Sequence, residues 1–287
     1  MKLTNENVPF SKRFIMSVDV DSWSSLLRFY SVNHNPEKTD IQVDVEDGID
    51  KLLNLFEKHA VKATFFVPGD VAQKHSQMIR AIAEDGHEVA CHGLHHDRNE
   101  CLLGLEEQRA YIEKAVAILK NATGLKPLGF RAPCLRANDT TLRILDGMGC
   151  LYDSSFLPMF IPGTYGSLSF KFKPYYPFSK NRSLIEIPIS TNPIAPLPLS
   201  GSWMRNLGLS WIKFGTKMLF DLGNPVMIYI HPRDVVSLPR MPNVPWHVYR
   251  KTGKACLKML DELLGYVKLL RGRTIRAMDL ALEEMKK

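Results

Sequence analysis

The chain has 287 residues, and 45% of them are hydrophobic, a proportion that can bury a sizeable core and argues against a disordered protein. Its 37 basic and 30 acidic residues give a net charge of +7, but they include no compact basic run of the kind that binds nucleic acid. We therefore expect no nucleic-acid partner. The five cysteines contain no CxxC pair, and there is no run of about 18 apolar residues that would predict a membrane span.

In the first half of the chain, apolar β-branched runs alternate with segments whose apolar residues have helical spacing. Gly-containing segments end most of these units, as expected for helix and strand termini. The predicted strands are 14–20, 63–67, 87–91 and 129–132, and the predicted helices are 45–59, 71–84, 105–123 and 139–148.

The second half begins with residues 157–205, which are rich in Pro, Gly, Ser and aromatic residues. A long irregular stretch inside a compact domain usually covers a site, so we expect this segment to do so. It contains one predicted strand, 184–189, and is followed by a helix at 207–222, a strand at 225–230, a helix at 253–270, a strand at 274–278 and a terminal helix. About seven strand-then-helix units predict an α/β fold with a parallel sheet, a distorted (β/α)7-type barrel formed by residues 1–287 as a single domain.

Asp19 and Asp21 end the first predicted strand, and alternation along a strand sends both carboxylates to one face. His92 and His96 follow the third predicted strand at a spacing that lets both imidazoles reach one ion. In a barrel the carboxyl ends of the strands line the active site. Taken alone, each motif is more often a turn or an exposed His pair, but together they indicate a site with two His and one carboxylate.

Two further strand ends carry polar side chains. Arg131 ends the strand at 129–132, where it can pair with a carboxylate and keep it ionised, although a surface ion pair is the commoner role of such an Arg. His231 follows a late apolar strand, with Asp234 close by in the sequence. A His in this position can act as a general acid, and a hydrogen-bonded structural His is the alternative.

These segments, in this order, resemble the polysaccharide deacetylase family, also called the NodB-homology or carbohydrate esterase family four. The resemblance covers nearly the whole chain and is carried by KATFFVPGDVAQKH, EDGHEVACHGLHH, GFRAP, YDSSFLP, LIEIPIS and TIRAMDLALEEM. It implies a NodB-type barrel and a metal-dependent hydrolase that removes an N-acyl group, usually acetyl, from an amino-sugar substrate. The substrate would be a saccharide, a sugar nucleotide or a lipid-linked sugar.

The resemblance also implies a role for each site residue. It implies that Asp19 is the catalytic base, that Arg131 tethers this base and that His231 is the general acid. One divalent metal would bind to Asp21, His92 and His96; zinc is the first choice, with cobalt, nickel, iron and manganese as alternatives. We further expect substrate contacts from Pro133, Asp153 and Trp23, with Asp153 near the place of an acidic partner for the His.

The sequence departs from the commonest family pattern at several positions. Val20 separates two aspartates that are usually adjacent, Gly93 replaces a usual Ser or Thr, Cys134-Leu135 follows the RxP motif, and Arg233 replaces a frequent Trp. The DxD and HxxxH forms resemble the cytoplasmic branch of the family, which includes a lipid-linked formamido-sugar deformylase and members acting on cyclic amides or imides. Those two activities are alternatives on the same site, and a non-catalytic carbohydrate-binding relative is a third.

The amino terminus lacks the apolar stretch of a signal peptide, so we expect a cytoplasmic protein. Residues 203–220 combine Trp203 and Trp211 with basic residues, a pattern typical of helices at a membrane interface. Peripheral contact with the inner face of a membrane is therefore one hypothesis, and an ordinary helix packed on the barrel is the other. Homo-oligomer formation is open.

Overall fold

The computed structural model describes residues 12–30, 43–96, 100–161, 165–166, 171–178 and 183–287. The strands are β1 (Arg13–Asp19), β2 (Thr64–Val67), β3 (Glu88–Cys91), β4 (Gly129–Phe130), β5 (Tyr152–Asp153), β6 (Phe160–Ile161), β7 (Tyr165–Gly166), β8 (Ile185–Glu186), β9 (Val226–Ile230) and β10 (Arg273–Thr274). The helices are α1 (Trp23–Phe29), α2 (Val43–His59), α3 (Gly69–Lys74), α4 (Ser76–Glu84), α5 (Leu105–Thr123), α6 (Asp139–Gly147), α7 (Gly201–Leu207), α8 (Leu209–Asp221), α9 (Trp246–Tyr249), α10 (Lys254–Leu269) and α11 (Ala277–Met285).

Eight of the strands form one parallel sheet. β1 pairs with β2, β9 and β10, while β2, β3, β4, β5 and β8 follow one another in order. The segment just past β8 is hydrogen-bonded to β9. Ser190 N–H donates to Met227 O (3.1 Å), and Met227 N–H donates to Ser190 Oγ (2.9 Å). The sheet therefore curls on itself with helices outside, which confirms the predicted (β/α)7-type barrel of the NodB kind.

The two faces of β1 have different surroundings, as its alternating side chains require. Phe14, Met16 and Val18 are fully buried in the main core, which also contains residues of α2 such as Ile49. Ile15 points the other way, into a second buried cluster that includes Phe66, Met227 and residues of α11. Asp19 shares the face of Ile15, so its carboxylate faces the barrel interior.

Some element boundaries differ from the sequence prediction. The helix predicted at 71–84 is two helices that meet at His75, whose φ of −119° and ψ of 40° are not helical. The helix predicted at 207–222 begins after Gly208, whose φ of 99° favours glycine and separates α7 from α8. The strand predicted at 274–278 ends at Thr274, because Asp279 accepts a hydrogen bond from Arg276 N–H (3.1 Å) and starts α11 at Ala277.

The expectation of one domain over 1–287 stays a prediction. The pairing of β1 with both β9 and β10 supports it, since strands from the two ends of the chain lie in one sheet. Among the described helices, none is both long enough and apolar enough to cross a bilayer.

Candidate active site

The side chains singled out by the sequence meet where the parallel strands end. Asp19 is the last residue of β1, and His231 follows β9. The sheet hydrogen bonding continues one residue past β3 and β4, because His92 N–H donates to Val67 O (3.0 Å) and Arg131 N–H donates to Cys91 O (2.9 Å). A cavity of about 190 Å³ opens at these ends, and its lining residues are Asp19, Asp21, Ser25, Leu26, His92, His96, Cys134, Leu135, Tyr229, His231 and Arg233.

Asp21, His92 and His96 lie together at the base of this cavity, with one ligand atom of each within 4.8 Å of the others. His92 Nε2 lies 3.4 Å from Asp21 Oδ1, and His96 Nε2 lies 3.2 Å from Asp21 Oδ2. Asp21 Oδ1 is buried and accepts no hydrogen bond from the described residues. A buried carboxylate oxygen without a donor is costly, and a cation between these three groups would satisfy it.

Each His presents a free nitrogen to Asp21. His92 Nδ1 lies 2.7 Å from Arg131 O, and because a carbonyl only accepts, Nδ1 carries the proton and Nε2 is left as a ligand atom. Burial lowers the pKa of His96 to about 4, so that this imidazole is neutral near neutral pH. Burial acts to lower the pKa of His92, but Asp21 and Asp19 outweigh it and raise this pKa, so an ion that takes the neutral imidazole would displace a proton there. Both side chains offer ring nitrogens, and with the Asp21 carboxylate they form a donor set that fits a divalent transition metal.

The loop between the two histidines depends on Gly93 and Glu100. Gly93 has a φ of +74°, and an added Cβ would lie 2.5 Å from Glu100 Oε2 and 2.7 Å from a carbon of Pro133. Glu100 Oε1 accepts hydrogen bonds from Leu94 N–H (3.2 Å) and His95 N–H (2.9 Å). The departure from Ser or Thr at position 93 therefore has a steric reason, and Glu100 orders the loop that carries His96.

Asp19 is paired with a buried arginine. Arg131 Nη1 donates to Asp19 Oδ1 at 2.5 Å and also to Ser17 Oγ at 3.0 Å. The rest of the guanidinium donates to Ser154 O and Ser154 Oγ (both 3.0 Å) and stacks 3.9 Å from the ring centroid of Phe66. With its donors directed in this way, Arg131 is fully buried and holds the Asp19 carboxylate in one orientation.

His231 is held by a carboxylate that is itself held by an arginine. His231 Nδ1 lies 3.5 Å from Asp234 Oδ2, and the same oxygen accepts from His231 N–H at 2.9 Å. Arg205 Nε donates to Asp234 Oδ1 (3.0 Å), and Arg205 Nη2 lies 2.9 Å from the same oxygen as an ion pair. Burial acts to raise the pKa of Asp234, but Arg205 and His231 outweigh it and hold the pKa well below its ordinary value. His231 Nε2 is thereby directed into the cavity, 3.4 Å from Asp21 Oδ2.

Besides the histidines, Asp21 contacts a guanidinium, because Arg233 Nη1 lies 3.3 Å from Asp21 Oδ2. Burial acts to raise the pKa of Asp21, but His96, His92, His231 and Arg233 together hold it well below its ordinary value. The carboxylate is therefore ionised, as a metal ligand must be.

The residues expected to contact substrate do not line the cavity. Trp23 is 1% exposed and packs edge-on against Tyr249 in a small apolar cluster, and Pro133 is buried against the Gly93 loop. Asp153 is also buried, and it accepts hydrogen bonds from Ser155 Oγ (2.8 Å) and Ser155 N–H (3.1 Å). The carboxylate beside His231 is that of Asp234, and a role for Asp153 as the acidic partner of this His stays a prediction. Substrate contact by these three residues stays a prediction that the geometry does not favour.

The structure gives Asp153 a different neighbour, the buried carboxyl of Glu186 on the adjacent strand β8. Burial and then Asp153 raise the pKa of Glu186 well above its ordinary value, since two adjacent buried carboxylates cannot both ionise cheaply. No sequence signal pointed to Glu186 or Arg205, because their partners Asp153 and Asp234 lie far away in the chain. Glu100 was missed although its partners Leu94 and His95 are near in sequence, because no motif marks it.

Two roles expected for the surface, a cover over the site and contact with a membrane, stay predictions. None of the described residues within 157–205 lines the cavity, so the covering role of this segment stays a prediction. In the segment 203–220, Trp203 packs against the cluster of Leu157, Met159 and Ile189, and Trp211 packs against the main core. These inward contacts favour the packed-helix hypothesis, and membrane contact stays a prediction.

Comparisons with known proteins assign the chain on independent grounds. Residues 36–152 match the family model described as polysaccharide deacetylase, and residues 154–278 match one described as a domain of unknown function, DUF3473. The chain is 32% identical over 143 residues to a peptidoglycan deacetylase of Helicobacter pylori, covering 49% of this chain and 48% of that protein. It is 31% identical over 109 residues to a peptidoglycan-N-acetylglucosamine deacetylase of Bacillus cereus, covering 36% and 39%. The chain thus spans about half or less of these relatives.

Solved structures agree at the level of the fold. A protein of Mycobacterium smegmatis assigned to the polysaccharide deacetylases superposes with a TM-score of 0.70 at 20% identity, covering 96% of this chain and 91% of that one. Puue allantoinase superposes with a TM-score of 0.68 at 18% identity, covering 96% and 93%. A CE4 family pseudoenzyme of Bacillus anthracis gives 0.55 at 15% identity, covering 94% and 66%. Residues 36–152 thus carry the match to the polysaccharide deacetylase family, and the barrel formed by the described residues has the fold of these solved structures.

Proposed function

We propose that the protein is a metal-dependent hydrolase that removes an N-acyl group, in the first place acetyl, from an amino-sugar substrate. The observation that carries the proposal is the grouping in one cavity of three metal-binding side chains, an arginine-paired carboxylate and a carboxylate-paired histidine. Amide hydrolysis needs an activated water, a base and an acid for the departing amine, and this cavity offers a group for each.

Asp21, His92 and His96 would hold the divalent metal, with zinc as the first choice. Two imidazole nitrogens and one carboxylate oxygen suit zinc and also cobalt, nickel, iron or manganese. When bound, such an ion supplies a Lewis acid that lowers the pKa of water and polarises an acyl oxygen.

Asp19 would accept the proton of the attacking water. Its ion pair with Arg131 holds the carboxylate in one orientation and leaves Oδ2 without the guanidinium contact that Oδ1 has. A carboxylate fixed in this way loses little rotamer freedom when it takes the proton, which is the benefit of a preorganised base.

His231 would give a proton to the leaving amine. Its Nδ1 side faces Asp234 and its Nε2 faces the cavity, so a proton on Nε2 is available to a bound substrate. Without such a donor the amine would depart as an anion, which is a very poor leaving group.

An amino sugar is the first choice of substrate because the relatives from Helicobacter pylori and Bacillus cereus are peptidoglycan deacetylases. Hydrolysis of a cyclic amide or imide is a second candidate, since the allantoinase has the same fold, and a lipid-linked formamido sugar would use the same chemistry. The pseudoenzyme shows that this fold also exists without its family activity, but the intact Asp19, Asp21 and His231 constellation here argues against a binding-only protein.

The test incubates purified zinc-loaded protein with N-acetyl sugars, sugar nucleotides, lipid-linked sugars and cyclic amides, and follows loss of the acyl group by mass spectrometry. We expect acetate release from an amino sugar, and loss of both bound zinc and turnover in a His92→Ala, His96→Ala double variant. Ring opening of a cyclic amide without acetate release would favour the second candidate. Undiminished zinc stoichiometry in the double variant would contradict the assigned ligands.

A further inference from the structure

Arg233 lines the cavity beside the three metal-binding residues. It lies two residues after His231, in the short helical turn Pro232–Val235, and its side chain is 11% exposed. Among the described residues that line the cavity, it is the only Lys or Arg, since Arg131 lies behind Asp19. A guanidinium taken out of water needs several acceptors, because it has five N–H groups to satisfy.

The described residues give this guanidinium little to bind. Asp21 is the one described carboxylate within ion-pair distance, through a single long contact of 3.3 Å between Arg233 Nη1 and Asp21 Oδ2. The same carboxylate lies within 3.4 Å of His92, His96 and His231. A divalent metal at the triad would compete with Arg233 for Asp21, so the contact cannot satisfy the guanidinium in the loaded protein.

The other charges of the cavity are already paired. Asp19 is neutralised by Arg131 at 2.5 Å, and Asp234 is neutralised by Arg205 at 2.9 Å. Asp21 and Arg233 are then the remaining charges, one negative and one positive. When a divalent metal binds, the cavity becomes doubly positive, and an activated water can offset only part of that charge.

We propose that Arg233 forms an anion subsite next to the metal triad, and that the substrate is an N-acyl amino sugar carrying a carboxylate or phosphate group close to the scissile amide. The inference deepens the proposed function and rests on it. A planar guanidinium matches both anions, because it can donate two parallel hydrogen bonds to either. The two oxyanion groups share one recognition chemistry, and the test separates them.

The first arm compares three sugars that share the N-acetyl group. N-acetylglucosamine is neutral, N-acetylmuramic acid carries a carboxylate, and N-acetylglucosamine 1-phosphate carries a phosphate. We expect Arg233→Gln to lower kcat/KM for one or both anionic sugars by roughly ten- to a hundredfold more than for the neutral sugar, the usual worth of a charge-assisted hydrogen-bonded pair. Arg233→Lys should recover part of the loss. Arg240→Gln, at an exposed arginine outside the cavity, is the matched control for the change in charge.

The second arm does not depend on turnover. Calorimetry measures binding of the same sugars to zinc-loaded His231→Ala protein with and without Arg233→Gln, and zinc affinity is measured in parallel. If an anionic sugar binds more tightly than the neutral one, and Arg233→Gln removes the difference, the subsite is supported even if none of the three sugars is hydrolysed. The absence of hydrolysis would then count against the proposed function alone. Equal losses for neutral and anionic sugars, or a changed zinc affinity with no selective loss, would show that Arg233 acts only through Asp21 and overturn the proposal.

Discussion

Asp19 and Asp21 are two residues apart, but their partners give them different chemistry. Asp19 is bound by a buried arginine, whereas Asp21 faces the imidazoles of His92, His96 and His231 with one of its oxygens lacking a donor. A carboxylate that a cation holds in one orientation is placed to accept a proton, and a carboxylate that faces ring nitrogens is suited to bind a metal with them.

Exchanging each carboxylate for an amide should therefore give two different phenotypes. Asp19→Asn is expected to keep its zinc and lose kcat by roughly a hundred- to ten-thousandfold, the range for removing a general base. Asp21→Asn should lower zinc affinity. Zinc titration and steady-state kinetics on both variants measure this, and the reverse pattern would mean that the two roles are exchanged.

Arg205 acts on the site through Asp234 and is a positioning residue. It also donates to Val248 O (2.9 Å) and Arg250 O (2.7 Å), which ties the α9 region to the turn that carries His231. Arg205→Met should destabilise the protein by about 3–5 kcal/mol, because it leaves the Asp234 charge buried without its cation.

Denaturant unfolding of a double-mutant cycle checks this reasoning. Arg205→Met combined with Asp234→Asn should cost less than the sum of the two single changes, because the second change removes the unpaired charge that the first creates. Additive losses would show that the two side chains are not coupled.

At the scale of the element, α2 fixes the position of the turn after β9. Gly48 of α2 lies against Pro232, and a Cβ at position 48 would come within 2.5 Å of Pro232 O. A larger residue at position 48 would move the helix or the turn Pro232–Val235. Because His231 directly precedes this turn, its side chain would move as well.

Two glycine-to-alanine changes separate this packing from helix propensity. Gly48→Ala should destabilise the protein by about 1–3 kcal/mol through overpacking and should lower kcat while leaving bound zinc unchanged. Gly265→Ala in α10 meets nothing within 4 Å and should stabilise by about 0.5–1 kcal/mol. Thermal unfolding with zinc analysis compares the pair, and equal effects of the two substitutions would remove the packing argument.

At the scale of the whole molecule, His87 couples stability to pH. It packs against Phe56 and Phe65, and its Nδ1 accepts a hydrogen bond from Ala63 N–H (3.0 Å), which requires the neutral imidazole. Burial, then Lys62, lower its pKa from 6.5 to about 4, against an opposing contribution from Asp85. Between these two pH values only the unfolded chain binds the proton, so stability falls as the pH falls from 6.5 to 4.

At the acid end of this window, protonation of His87 in the unfolded chain should lower the free energy of unfolding by up to about 3 kcal/mol. His87→Gln can still accept from Ala63 N–H but does not titrate, so its stability should depend less steeply on pH. Urea unfolding across the window measures the slopes for wild type, His87→Gln and His247→Gln, an exposed control. Parallel curves for wild type and His87→Gln would rule out the linkage.

The barrel could be predicted from the alternating strand and helix patterns of the sequence. A parallel sheet packed against helices requires apolar residues at regular spacings, and these spacings are visible within each short segment. Asp21, His92, His96, Asp19 and Arg131 could be singled out because each stands at the end of an apolar strand, and parallel strands end at one rim. The ends of the helices and strands were predicted less accurately. The backbone conformation of Gly208 and the hydrogen bond that Asp279 accepts from Arg276 N–H decide where two of the helices start.

Folding, and not any local pattern, decides which residues pair across the chain. Arg205 reaches Asp234, and Asp153 meets Glu186 on the neighbouring strand, through contacts between residues that are far apart in sequence. Arg233 stood out in the sequence only as a departure from a pattern. Its meaning comes from its burial beside Asp21, because the energy of a charge depends on every partner and every water that folding places around it or removes.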